Sequence, residues 1–135
     1  MRFNEPLCRH TTLGIGGPAD IWLKSSSLAQ LKDIIADCCE KNIPYLIIGS
    51  GSNILFSDKG FRGAVICLNS PGFRKVEIKQ QQISCGAGLS LNRLIRRMQP
   101  KGLGGLEFLS GIPASVGGAV VMNAGSQNKA IGEFL

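Results

Sequence analysis

Two glycine-bearing segments hold the residues with most to offer chemically, and what they offer is main chain. Gly49-Ser50-Gly51-Ser52-Asn53 directly follows the apolar run Tyr45-Leu46-Ile47-Ile48 and places successive amide N–H groups, two hydroxyls and a carboxamide within five residues. Consecutive amides in a tight glycine turn form an anion-binding concavity, and a diphosphate suits it; a plain tight turn uses the same residues. The segment is not a nucleotide P-loop, because no Gly-Lys-Ser/Thr follows, and it is not G-x-G-x-x-G. The second segment, residues 110–125, reads S-G-I-P-A-S-V-G-G-A-V-V-M-N-A-G. Gly111, Ile112, Pro113, Ala114, Ser115, Val116, Gly117, Gly118 and Ala119 are expected to form a rigid loop with exposed amides. Proline fixes φ there, and paired glycines let a flat or charged ligand approach without side-chain clash. Asn123 can donate and accept further bonds, and Gly125 permits close approach; a packed glycine turn beside a sheet is the other reading of this stretch. A neutral hydrogen bond contributes only about 0.5–1.5 kcal/mol net, so tight cofactor binding needs donors from both segments. Two such loops suggest one elongated ligand.

Other chemistry is sparse. The single histidine, His10, has no cysteine or serine nucleophile motif around it, and a structural or solvated role is expected. Glu107 is the carboxylate expected nearest the loops, with capping as its alternative role. Five cysteines, at 8, 38, 39, 67 and 85, are odd in number and show no C-x-x-C spacing, so neither a disulfide framework nor a zinc site is indicated. They read as reduced thiols serving as small hydrophobes. No catalytic residue and no metal site is predicted. The net charge of +6 favours anionic partners such as nucleotides and phosphorylated metabolites, or serves solubility. The densest basic cluster, Arg93, Arg96 and Arg97, is too short for a nucleic-acid arm, and one Trp with one Tyr gives no stacking platform. No apolar run approaches the ~18 residues of a membrane span, and the N-terminus lacks an apolar leader core. The expectation is a soluble cytoplasmic protein without nucleic-acid or membrane partners.

The elements that must position the loops follow from periodicity. With 135 residues the chain can form one modest domain or two small subdomains; we expect a first α/β subdomain over 1–70 and a second over 71–135. Residues 19–24 alternate as a strand, and Ser25-Ser26-Ser27 offers a helix cap. Leu28, Leu31, Ile34, Ile35 and Cys38 then recur at helical spacing to near Asn42, before Pro44. Residues 45–48 read as a buried strand, completing a strand–helix–strand unit that ends on the first glycine loop. Residues 54–56 and 64–68 read as short strands around the turn 57–60, and 73–79 with 82–85 as a hairpin. Ser90 caps a helix with Leu91, Leu94, Ile95 and Met98 on its apolar face, stopping before Pro100. Beyond Gly102 the glycines leave regular structure unassigned.

Four ordered motifs resemble the UDP-N-acetylenolpyruvylglucosamine reductase (MurB) family. They are Thr12-Leu13-Gly14-Ile15-Gly16-Gly17-Pro18-Ala19; residues 49–55 with Asp58-Lys59-Gly60-Phe61-Arg62-Gly63; residues 102–113, G-L-G-G-L-E-F-L-S-G-I-P; and Val116-Gly117-Gly118-Ala119 with Met122-Asn123-Ala124-Gly125. The resemblance implies an α+β, FAD-binding domain of the vanillyl-alcohol-oxidase (PCMH) type. In that family the first glycine loop receives the FAD pyrophosphate and the G-I-P-x-x-V-G-G segment lines the flavin. It also implies NADPH as reductant, UDP-N-acetylglucosamine enolpyruvate as substrate and UDP-N-acetylmuramate for peptidoglycan synthesis as product. The family's Tyr-Arg motif, protonating serine, late catalytic glutamate and UDP-sugar domain are expected beyond Leu135. The chain is therefore expected to contribute to an FAD site without turning over alone, a missing C-terminal portion supplying the rest. Two departures stand out: Ala114-Ser115 where the family has Gly-Thr or Gly-Ser, and Ser126-Gln127-Asn128-Lys129 where it continues A-Y-G. Alanine would strain the loop if its position needs φ > 0. The alternatives are another flavin oxidoreductase of this fold and a non-catalytic nucleotide-binding module.

Overall fold

A computed structural model describes residues 1–135. Strands β1 (Arg2–Pro6), β2 (Pro18–Lys24), β3 (Tyr45–Ile48) and β4 (Phe61–Cys67) form one sheet in the order β1-β2-β4-β3. β2, β4 and β3 are parallel and β1 is antiparallel to β2. Helix α1 (Leu28–Glu40) makes the crossover from β2 to β3. Its start is the predicted serine cap: Ser27 Oγ accepts from the Gln30 amide at 3.2 Å, while Gln30 Oε1 accepts from the Ser26 amide at 2.7 Å. Its end is a Schellman turn, with Asn42 at φ 52°, Ile43 N–H donating to Cys38 O at 2.8 Å and Asn42 N–H to Cys39 O at 3.2 Å.

Alternation along β4 divides the sheet's two faces. Val65 and Cys67 join Leu7, Ala19, Trp22, Ile48 and Phe56 on one side, and Ile66 joins Leu31 of α1 and Phe73 on the other. The predicted strand at 54–56 is not formed. Phe56 is buried and Ile54 packs against the first cluster, so these residues fill the core without pairing in the sheet. The glycines of the first motif clasp this layer: a Cβ on Gly17 would overlap the Asp58 carbonyl, and one on Gly60, at φ 81°, would overlap the Pro18 carbonyl. That contact explains why the segments around 14–19 and 58–63 need glycine without any ligand.

The second group of elements is a hairpin of β5 (Val76–Lys79) and β6 (Gln82–Cys85), with helix α2 (Leu91–Met98) and a six-residue helix α3 (Val116–Val121). Phe73, placed at the start of the hairpin by pattern, instead ends a 3-10 turn, Pro71–Phe73, that carries it into the core on the α1 side of the sheet. Ser90 caps α2 as expected, accepting from the Arg93 amide at 3.3 Å. Leu91, Ile95, Leu109, Ala119 and Ile131 form one core of this group, and Leu89, Leu94 and Met98 another. The overall arrangement is α+β, as the sequence implied.

The divergent stretch after Asn123 is a small hairpin of β7 (Gly125–Ser126) and β8 (Lys129–Ala130). Gln127 (φ 55°) and Asn128 (φ 62°) form its two-residue turn, both left-handed as a type I′ turn requires. Glutamine suits that position poorly. Replacing Gln127-Asn128 by Asn-Gly is expected to raise stability by about 1 kcal/mol and the melting temperature by ~2–5 °C in a thermal denaturation scan.

Candidate functional site

The two loops read from the sequence face each other across a cavity of about 680 Å³. Residues 47–54 form one wall and 112–125, without Val116 and Val120, form the other, with Leu68 and Ala87 between them. Of the predicted residues, Gly49, Ser50, Gly51, Ser52, Asn53, Ile112, Pro113, Ala114, Ser115, Gly117, Gly118, Ala119, Asn123 and Gly125 line this crevice. Gly111 and Val116 do not: Gly111 N–H is turned to Asn92 Oδ1 at 3.4 Å, and Val116 packs into the second core with its N–H on Leu89 O at 2.7 Å. Ala87 was missed by pattern. Its signal was the Gly86-Ala87-Gly88 run before the α2 cap.

The two walls differ in what they present. No amide N–H of residues 49–53 donates a hydrogen bond within the protein, although Gly51 itself is buried. Gly51 sits at φ 69°, and a Cβ there would overlap the His10 carbonyl oxygen and stand 3.0 Å from its carbon. Thr12 N–H donates to Gly51 O at 2.9 Å, which fixes this loop on the segment that follows β1. A row of free N–H donors at the carboxyl end of a parallel strand is the donor set for a diphosphate.

The opposite wall corrects the expectation of exposed amides. Gly117 N–H donates to Ala87 O at 2.9 Å and Gly118 N–H to Ser115 Oγ at 3.2 Å, the N-cap of α3. This wall therefore offers Ile112, Pro113, Ala119, Val121 and glycine Cα surface, a face for an apolar ring system. Ala114 is not among the residues with positive φ, so alanine carries no strain there. Gly125 is needed by its own hairpin, since a Cβ would overlap the Lys129 carbonyl. Asn123, at φ 46°, spends its Oδ1 on the Gly132 amide at 3.1 Å. The walls meet at Gly49 and Ser115: a Cβ on Gly49 would overlap Ser115 Oγ and stand 3.2 Å from Ser115 Cβ.

A family model described as "FAD binding domain" matches residues 19–133. The chain belongs to the FAD-binding-domain family. FAD fits this crevice on its own terms, with unpartnered amides for a pyrophosphate on one wall and an apolar surface for the ring on the other. Among curated relatives, the FAD-binding domain is 46% identical over 132 residues to the UDP-N-acetylenolpyruvoylglucosamine reductase of Bacillus subtilis (strain 168), covering 98% of this chain and 43% of that one. It is 46% identical over 127 residues to the reductase of the same name from Heliobacterium modesticaldum (strain ATCC 51547 / Ice1), covering 94% and 40%. Among solved structures it is similar to UDP-N-acetylenolpyruvylglucosamine reductase (MurB) from Thermus caldophilus, with a TM-score of 0.73 and 38% identity, covering 93% of this chain and 43% of that chain. The FAD-binding domain thus spans less than half the length of these relatives.

No acidic, basic or thiol side chain lines the crevice, and several of those outside it have local roles. Glu107 caps locally, its Oε2 accepting from the Gly105 amide at 2.7 Å. Burial raises the pKa of the Cys38, Cys67 and Cys85 thiols above the ordinary thiol value, which holds them in the unreactive protonated form. His10 Nε2 donates to Glu5 Oε1 at 2.8 Å, an acceptor it shares with Arg2, and its ring stacks on Trp22 with centroids 3.7 Å apart. The hydrogen bond from His10, with Arg2 adding to it, holds the Glu5 carboxyl below the usual carboxylate range against the opposing effect of burial. No helix of the protein is long and apolar enough to cross a membrane.

Proposed function

We propose that this chain is the FAD-holding part of a cytoplasmic, NADPH-dependent reductase that converts UDP-N-acetylglucosamine enolpyruvate to UDP-N-acetylmuramate for peptidoglycan synthesis. The carrying observation is the row of unpartnered amides at 49–53 facing the apolar wall at 112–121, in a chain similar over nearly all its length to reductases of that name. The reading includes a division of labour near residue 70, with the pyrophosphate loop supplied by the first group of elements and the ring-facing wall by the second. Bound FAD would supply hydride transfer between NADPH and the enolpyruvyl double bond.

The chain's own residues bind and orient. Amides of residues 49–53 would donate to the phosphate oxygens, and each charge-assisted bond contributes roughly 1.5–3 kcal/mol. Ile112, Pro113 and Val121 would cover one side of the ring. No Asp, Glu, His, Lys, Arg, Cys or Tyr lines the crevice, so these residues place no acid there to protonate a carbanion. Purified chain given FAD, NADPH and the enolpyruvyl substrate is therefore expected to reduce that substrate no faster than free FAD does, followed by chromatography of the product. Turnover at an ordinary enzyme rate, about 10 per second, would overturn this reading.

A further inference from the structure

A second cavity, of about 540 Å³, adjoins the crevice and shares Ile48, Gly49, Ser50, Leu68 and Ser115 with it, but its arginine-bearing side has no part in the account above. Arg9, Arg74 and Arg93 reach it from three separate segments: the turn after β1, the turn before β5, and α2. No Asp or Glu lines it, and none of the three arginines takes part in an ion pair or a side-chain hydrogen bond. Three guanidinium groups without a counter-ion lining one concavity supply the donors a phosphate takes, because each fork can hold two oxygens.

A second observation is independent of charge. Trp22 lines the same cavity and is 2% exposed, and its Nε1 is a buried side-chain polar atom without a hydrogen-bond partner. Buried indole N–H groups almost always find an acceptor; this one has none within the chain, and its ring forms part of the wall of the cationic cavity. The Trp22 ring is held there by the His10 stack, and His10 is itself held by Glu5. The hydroxyl of Ser90, N-cap of α2, also lines the cavity.

We propose that the arginine-bearing side of this cavity is an anion site distinct from the FAD crevice it adjoins, taking the phosphate group of a small molecule. Trp22 is the protein's one tryptophan, so its emission reports on the site. The test titrates inorganic phosphate and, in a separate arm, ADP into FAD-loaded protein at fixed ionic strength, following Trp22 emission and heat of binding while visible absorbance monitors retained flavin. Saturable one-to-one binding with flavin retained is expected; tighter binding of ADP would mark a nucleotide-borne phosphate, and equal binding the free ion. Arg74→Gln and Arg93→Gln should each weaken binding about tenfold with FAD content unchanged. Trp22→Phe, which keeps a ring and removes the N–H, should weaken it several-fold by calorimetry. Absence of saturable binding, displacement of FAD by the added anion, or affinity indifferent to both arginine replacements would overturn the proposal. Loss of flavin absorbance before any anion is added would instead count against the FAD reading alone.

Discussion

Gly51→Ala is expected to weaken FAD binding at least ~100-fold. A non-glycine residue in the left-handed region costs about 1–2 kcal/mol by itself. The added methyl would also overlap the carbonyl oxygen of His10, a main-chain atom that cannot rotate away. The loop must then shift, and with it the hydrogen bond from Thr12 N–H to Gly51 O and the aim of the amides at 49–53. Losing two charge-assisted bonds of roughly 1.5–3 kcal/mol each predicts a fall in affinity of about 10²–10⁴-fold. Equilibrium titration by flavin fluorescence measures it, and the melting temperature should fall as well. An affinity within threefold of the unmodified chain would show that this loop does not carry the phosphates.

Gly118→Leu separates binding from folding. Gly118 lies in α3 at ordinary φ, and a Cβ there would meet only Ser115 Oγ, at 3.2 Å, before open space. Leucine favours a helix over glycine by about 1 kcal/mol, so the fold should be unharmed or slightly stabilised. The side chain would occupy crevice volume on the apolar wall, and FAD affinity is expected to fall at least ~100-fold while the melting temperature stays within about 3 °C. Binding retained at full strength would place the ring elsewhere. The two variants therefore fail differently, Gly51→Ala through backbone and Gly118→Leu through space.

Much of this was legible in the sequence because it is local. The Ser27 cap, the period of Leu31, Ile34, Ile35 and Cys38, and the apolar run at 45–48 each announce their element within a few residues, although β3 is the sheet's edge strand, with Tyr45 and Ile47 exposed, and not the buried strand its composition suggested. The donor loop at 49–53 was readable for the same reason. β1 was not, since its strand character depends on pairing Phe3 with Ile21 and Glu5 with Ala19. Neither was α3, six residues with two glycines, held by Ser115 at its start and by the contact of Gly117 with Ala87. Residues 54–56 look β-rich, but Phe56 and Ile54 are apolar because they pack on the core while Leu55 stays exposed, and packing without a neighbouring strand has the same composition. The sharpest miss was the second wall: its glycines suggested free amides, but partners at Ala87, Asn92 and Ser115 take them up. The joining of Arg9, Arg74, Arg93 and Trp22 at one cavity depends on tertiary packing alone.

The central claim is that a single dinucleotide lies between 49–53 and 112–125. Its most direct test is to incubate the purified chain with excess FAD, remove free ligand by gel filtration and record the visible spectrum and melting temperature. The account predicts one equivalent of flavin retained per chain, and a melting temperature raised by several degrees when FAD is held at about 100 times its dissociation constant, a linkage gain of roughly 2.7 kcal/mol. Colourless protein with an unchanged melting temperature would contradict it.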